Sequence, residues 1–69
     1  MKVYTVGTIG GQITGNEAIE EEVPAWLYNA INDTIKKNGF CYYSDEDREC
    51  AIYLDALSAE KAIEWTNKM

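Results

Sequence analysis

Pro24 and Gly39 bracket the segment that most constrains this fold. Between them Leu27, Ile31 and Ile35 recur every four residues, with Tyr28 and Thr34 widening the stripe, while Asn29, Asn32, Asp33, Lys36 and Lys37 fill the other side. That period belongs to an amphipathic helix, not a strand. Pro24 is the chain's one proline. Its fixed φ and missing N–H suit the first helical position, and they break any helix that would run through it from an Asn16 cap. Gly39 after Asn38 supplies a left-handed end, and Lys36 and Lys37 sit in the last turn, where the helix dipole favours cations. The preceding Glu17-Ala18-Ile19-Glu20-Glu21-Glu22-Val23 then reads as extended or irregular, since Pro24 pushes Val23 away from helical geometry.

Strands are predicted on both sides of this helix. Lys2 to Ile9 has β-branched residues and a tyrosine, and Gly10-Gly11 followed by Gln12-Ile13-Thr14 signals a hairpin, because both glycines accept positive φ. Gly7 and Gly15 weaken its arms and predict a bulge or an early end to pairing. Phe40–Ser44 and Glu49–Asp55 read as a second hairpin around a four-residue turn, Asp45 to Arg48. That register sets Tyr43 opposite Cys50 and Cys41 opposite Ile52, with Cys41, Tyr43, Cys50, Ile52 and Leu54 on one face and Phe40, Tyr42, Ala51 and Tyr53 on the other. The aliphatic face is expected to meet the helices, leaving the aromatic face open. Ser58 is expected to cap a last helix from Ala59 to about Lys68, with Ala59, Ala62, Ile63 and Thr66 inward and Trp65 at the edge.

The expected architecture is one α+β domain over residues 1–69: an antiparallel sheet of two hairpins with two helices on one face, in the order β-β-α-β-β-α. The expected core is Val3, Leu27, Ile31, Ile35, Ile52, Leu54, Leu57 and Ile63. A chain of 69 residues has a thin core, with only about 60% of its unfolded surface buried, so a deep enclosed site is not expected.

Charge narrows the function. Twelve acidic residues against six basic ones give a net charge of −6, which disfavours DNA, RNA and anionic membranes as direct partners and favours a basic protein. The N-terminus has no apolar leader and no segment is long enough to span a bilayer, so the expected compartment is the cytoplasm. There thiols stay reduced, and Cys41 and Cys50 read as small buried hydrophobes.

The chemical motifs fail one by one. Val6-Gly7-Thr8-Ile9-Gly10-Gly11 lacks the spacing and the lysine of a phosphate loop and reads as a turn. Asp45-Glu46-Asp47-Arg48-Glu49 lacks the calcium-loop glycine and carries an arginine, and with no histidine and two cysteines in the chain a zinc site is not expected. Cys50 follows Glu49 and an acidic turn, which disfavours the thiolate. Carboxylates on a small turn have no cleft to separate their pKa values. No enzyme, cofactor or metal is expected.

Eight of the twelve acids fall in two windows: Glu17, Glu20, Glu21 and Glu22, then Asp45, Glu46, Asp47 and Glu49. One reading is a solvated surface that confers solubility and blunts strand edges. The sharper reading is imitation of a nucleic-acid backbone. Carboxylates at i and i+2 of an extended strand lie roughly 6.6 Å apart, of the order of phosphate spacing. Small size, acidity, the absence of histidine and the runs Glu20-Glu21-Glu22 and Asp45-Glu46-Asp47 make the chain resemble, in character, the small acidic DNA-mimic inhibitors encoded by bacteriophages. That resemblance implies a non-enzymatic inhibitor occupying the DNA-binding surface of a basic host protein, such as a nucleoid protein, RNA polymerase or a defence nuclease. Its partner-binding residues would be the eight acids, with Tyr42 and Tyr53 as aromatic anchors beside Phe40 and Trp26. The same aromatics read first as ordinary core under the helices, because regularly spaced aromatics usually pack inward. The alternative function is a small assembly module, a homodimer through the aromatic sheet face.

Overall fold

The computed structural model describes residues 1–67. It holds strands β1 (Lys2–Ile9), β2 (Gln12–Ile13), β3 (Ile19–Glu22), β4 (Cys41–Ser44) and β5 (Glu49–Tyr53), and helices α1 (Ala25–Asn38) and α2 (Ala56–Asn67). The α+β class and the antiparallel sheet of two hairpins stand as expected, but the order gains a strand before α1, because Ile19–Glu22 pairs with β1 instead of staying irregular. The sheet runs β2-β1-β5-β4, and β3 pairs with β1 on the same side as β2. β2 pairs with Thr8 and Ile9, and β3 with Lys2 to Thr5, so together they form one interrupted edge.

The interruption is built by glycines. Gly10 and Gly11 turn the first hairpin at φ +60° and +81°, values that L side chains rarely adopt. Beyond the turn the Gly7 carbonyl accepts from both Thr14 N–H and Gly15 N–H, at 2.9 and 3.0 Å, which is the bulge expected where Gly7 and Gly15 meet. A Cβ on Gly15 would stand 3.0 Å from the Gly7 nitrogen. After the bulge the chain rejoins the edge as β3, a strand of one isoleucine and three glutamates.

α1 starts after Pro24 and ends at Gly39, whose left-handed conformation (φ +90°) lets its N–H bond the Ile35 carbonyl. Ile31 and Ile35 are buried, Leu27 and Tyr28 half-buried, and Thr34 lies outside the stripe. The second hairpin has the expected register, Cys41 opposite Ile52 and Tyr43 opposite Cys50. The cysteines are therefore diagonal neighbours, and both are free thiols.

The expected layering is corrected: the two helices do not share a face. α1 packs on Val3, Cys50 and Ile52, whereas α2 lays Ala59 and Ile63 on Val6, Ala51 and Tyr53. Successive strand residues point to opposite faces, so β1 and β5 are covered on both sides. The aromatic face is consequently not open. Tyr53 is buried under α2, its ring 6.0 Å from Phe40, and only Phe40 and Tyr42 at the β4 margin stay exposed. α2 also begins earlier than expected. Its cap is Asp55, which accepts from Ser58 N–H at 2.9 Å and from the Ser58 hydroxyl at 2.8 Å, so Ser58 is the capped residue and not the cap. That shift turns Leu57 outward, 59% exposed, and removes it from the core. Lys68, the expected helix end, lies outside the described residues.

Val6, fully buried between β5 and α2, should be the costlier truncation. Val6→Ala is expected to lower stability by about 2 kcal/mol, and Leu57→Ala by less than about 0.5 kcal/mol, in urea unfolding at equilibrium.

Candidate functional site

The acids of the two windows divide into those the fold consumes and those it leaves. β1 buries two threonines, Thr5 and Thr8, on opposite faces of the sheet. A buried hydroxyl without a partner is costly, and a glutamate meets each one. On the α1 side Thr5 donates to Glu21, which also receives Arg48 Nη1 at 2.9 Å. The Arg48 guanidinium holds the Glu21 carboxyl below its ordinary range. On the α2 side Thr8 donates to Glu49 at 2.8 Å, and the same carboxylate takes the N–H groups of Gly10 and Gly11 at 3.2 and 2.7 Å. Those bonds, led by Gly11 N–H and joined by the Tyr42 hydroxyl, hold Glu49 down to about 2. Tyr42 is raised in turn, first by its bond to that carboxylate. Among the described residues no buried side-chain polar atom lacks a partner.

Asp45 is consumed by its own turn. Its carboxylate accepts Asp47 N–H and Arg48 N–H, both at 2.8 Å, and the Tyr43 hydroxyl at 2.7 Å, while its own N–H bonds the Arg48 carbonyl. The Tyr43 bond is the chief reason its pKa is lowered. Asp45, Asp47 and Glu49 therefore form no extended row. The tight turn folds Asp45 inward, and β5 aims Glu49 at the opposite hairpin. In β3 the alternation does hold. Glu20 and Glu22 stand opposite Tyr4 and Lys2 on the α2 side of the sheet, and Glu21 stands opposite Val3 on the α1 side. Lys2 reaches Glu20 at 3.7 Å, and the Met1 ammonium pairs with Glu22 and lowers its pKa.

Glu17, Glu46 and Asp47 remain without such partners among the described residues. Glu17 joins two acids that local charge runs do not reveal: it lines a shallow groove of about 540 Å³ with Glu60 and Glu64 of α2, floored by Ala18 and Ile63. The last two are one helical turn apart, so they present on one side of α2. The signal for them was the Glu60-x-x-x-Glu64 spacing, but nothing local ties it to Glu17, which is far away in sequence. A second cleft, about 190 Å³, lies between α1 and the sheet, lined by Val3, Leu27, Ile31 and Ile52 and rimmed by the Glu21–Arg48 pair. Pockets for drug-sized ligands start near ~300 Å³, so this one is too small for such a ligand.

The chemical alternatives have structural answers. Cys50 is buried and its thiol is pushed up by burial, the opposite of an activated nucleophile. Among the described residues no group of three histidine, cysteine or acidic side chains could hold a metal ion. No helix of the described residues is long and apolar enough to cross a membrane. The class defined by fold and surface is thus a small α+β protein with one helix on each sheet face and an acidic groove between α2 and the segment that leads into β3. Compared with protein-family models, curated proteins and solved structures, the chain matches none of them.

Glu49 gives the site a pH signature. A carboxyl held to about 2 in the fold, against an ordinary 4.5, adds stability that is fully present above the unfolded pKa and is lost as pH falls through the folded one. The urea midpoint of the wild type should fall between about pH 4.5 and about pH 2, and Glu49→Gln should start lower at neutral pH and flatten that limb. An acid limb unchanged in Glu49→Gln would assign the loss to other carboxyls.

Proposed function

We propose that the chain is a non-enzymatic, cytoplasmic binding protein that docks its acidic α2–β3 side on a basic, nucleic-acid-binding protein and excludes nucleic acid from it. The observation that carries this reading is the gathering of Glu17, Glu60 and Glu64 around one open groove, with Glu20 and Glu22 on the same side of the sheet. Lysines and arginines that hold phosphates accept carboxylates by the same charge-assisted bonds. Such an interface would be steered by long-range charge and weakened by salt. The proposal moves the contact surface away from Glu21, Asp45 and Glu49, which already serve the fold, and from Tyr53, which is buried. Glu46 and Asp47 stay exposed but lie in the β4–β5 turn, apart from the groove residues.

The test is capture of bacterial lysate proteins on the tagged chain at low and high salt, with duplex DNA as competitor. A basic DNA-binding protein is expected, held at low salt and released by DNA. Against that purified protein, Glu17→Lys or Glu60→Lys should weaken binding about tenfold, and Asp33→Lys, on α1 across the sheet, should change it less than about threefold. Equal losses from all three would mean undirected charge and overturn the assignment of the groove.

A further inference from the structure

The two edges of the sheet are guarded unequally. The β2–β3 edge is broken by the glycine bulge and carries Glu20, Glu21 and Glu22, which are devices that stop strands from adding to an edge. The other edge is β4, Cys41-Tyr42-Tyr43-Ser44. It has no charge, proline or bulge, and Phe40, Tyr42 and Tyr43 stand exposed along it. Its outward backbone groups follow from the ladder. Gly7 bonds toward β2, so by antiparallel alternation Tyr4 and Val6 bond toward β5, Ala51 and Tyr53 toward β1, and Cys50 and Ile52 toward β4. Tyr43 and Cys41 answer those bonds, and the Asp45 N–H bond to the Arg48 carbonyl has the same parity. Tyr42 and Ser44 are left with N–H and C=O facing out, met by no other strand; only the Cys41 thiol reaches the Tyr42 carbonyl, at 3.8 Å.

The ends of β4 carry opposite charge. At its start lies the C-terminus of α1, with Lys36 and Lys37 and the negative pole of the helix dipole. At its end lies the turn with Glu46 and Asp47. Among the described residues neither lysine and neither of these two acids has an intramolecular partner. An antiparallel partner of the same sequence sets each basic end against an acidic turn, on both sides of a two-fold axis. We propose that the second copy of this chain is the occupant of this edge: β4 pairs with β4 of another molecule and joins two sheets into one continuous sheet. The register that uses the outward groups sets Tyr42 against Tyr42 at the axis, Phe40 against Ser44, and Asp47 beside the second copy's Lys37. Such an isologous contact is closed and stops at two copies. The β3 edges and the acidic grooves lie at the far margins of the joined sheet and stay free.

Sedimentation velocity on the whole chain, from about 1 µM to about 1 mM, spans the range in which a small interface of this kind associates. The mass should climb from 7.8 kDa toward twice that value. Tyr42→Lys places two ammonium groups face to face at the axis and should raise the dissociation constant more than about tenfold, with the far-ultraviolet circular dichroism unchanged. Lys37→Glu and Asp47→Lys, each alone, should loosen self-association about fivefold. Mixing these two variants should restore it, because each then offers the other its opposite charge. A monomer at about 1 mM would overturn the proposal and leave the edge to an extended segment of another protein. A dimer indifferent to Tyr42→Lys, or a mixture no tighter than either variant alone, would overturn it as well.

Discussion

Strand β1 is the constraint from which the rest of the structure follows. It pairs on both sides, with β2 and β3 on one and β5 on the other, and it buries both faces, Val3 under α1 and Val6 under α2. At Thr5 and Thr8 a strand enclosed in this way has no water for the side chain. Thr5 and Thr8 must find acceptors within the protein, and the acceptors are glutamates drawn from two other strands. Glu21 comes from β3 and Glu49 from β5, each reaching β1 from a different side. Glu49 goes further, because its bonds to Gly10 and Gly11 fasten the tip of the first hairpin to the turn end of the second. Much of the acidity that stands out in the sequence is therefore internal fastening.

What was legible were the parts whose cause is local. Pro24, the four-residue period and Gly39 define α1 without help from the rest of the chain. Glycine chemistry gives the first turn and the Gly7–Gly15 bulge, and a four-residue turn gives the register of the second hairpin. The placement of α2 was not local. Glu49 to Tyr53 reads Glu-Cys-Ala-Ile-Tyr, and its last four residues are all buried, Cys50 and Ile52 on one side, Ala51 and Tyr53 on the other. A continuous apolar run of that kind marks a strand covered on both faces. The start of α2 is ambiguous in the sequence for a different reason: Asp55 and Ser58 are comparable caps, and only the packed helix shows that Leu57 faces outward. β3 lay beyond local reading altogether. Glutamates are poor strand formers, and these pair only because β1 offers an edge.

The candidate site was legible as an amount of charge and not as a place. A charge window counts carboxylates without asking what each one faces, and five of the eight carboxylates in the two windows turn toward an ammonium, a guanidinium, a hydroxyl or a backbone N–H of the same molecule. Glu60 and Glu64 were passed over because a helix separates acids in sequence while keeping them together in space. They join Glu17 only once α2 has crossed the sheet face that holds Ala18 and Val6. The local windows therefore missed two of the three acids that line the groove.

The same bookkeeping of charge explains how an acidic chain can carry an adhesive edge. With a net charge of −6, two copies repel at long range, and only a contact whose own charges are balanced can overcome that repulsion at short range. The β3 margin cannot do so, since self-pairing there would set glutamate against glutamate. At the β4 margin the acids of the turn and the lysines of α1 sit at opposite ends of an uncharged strand, so antiparallel pairing alone brings unlike charges together. A parallel partner would place like against like at both ends. The charge distribution therefore selects the edge and the direction of pairing together, and it keeps the acidic groove clear of both.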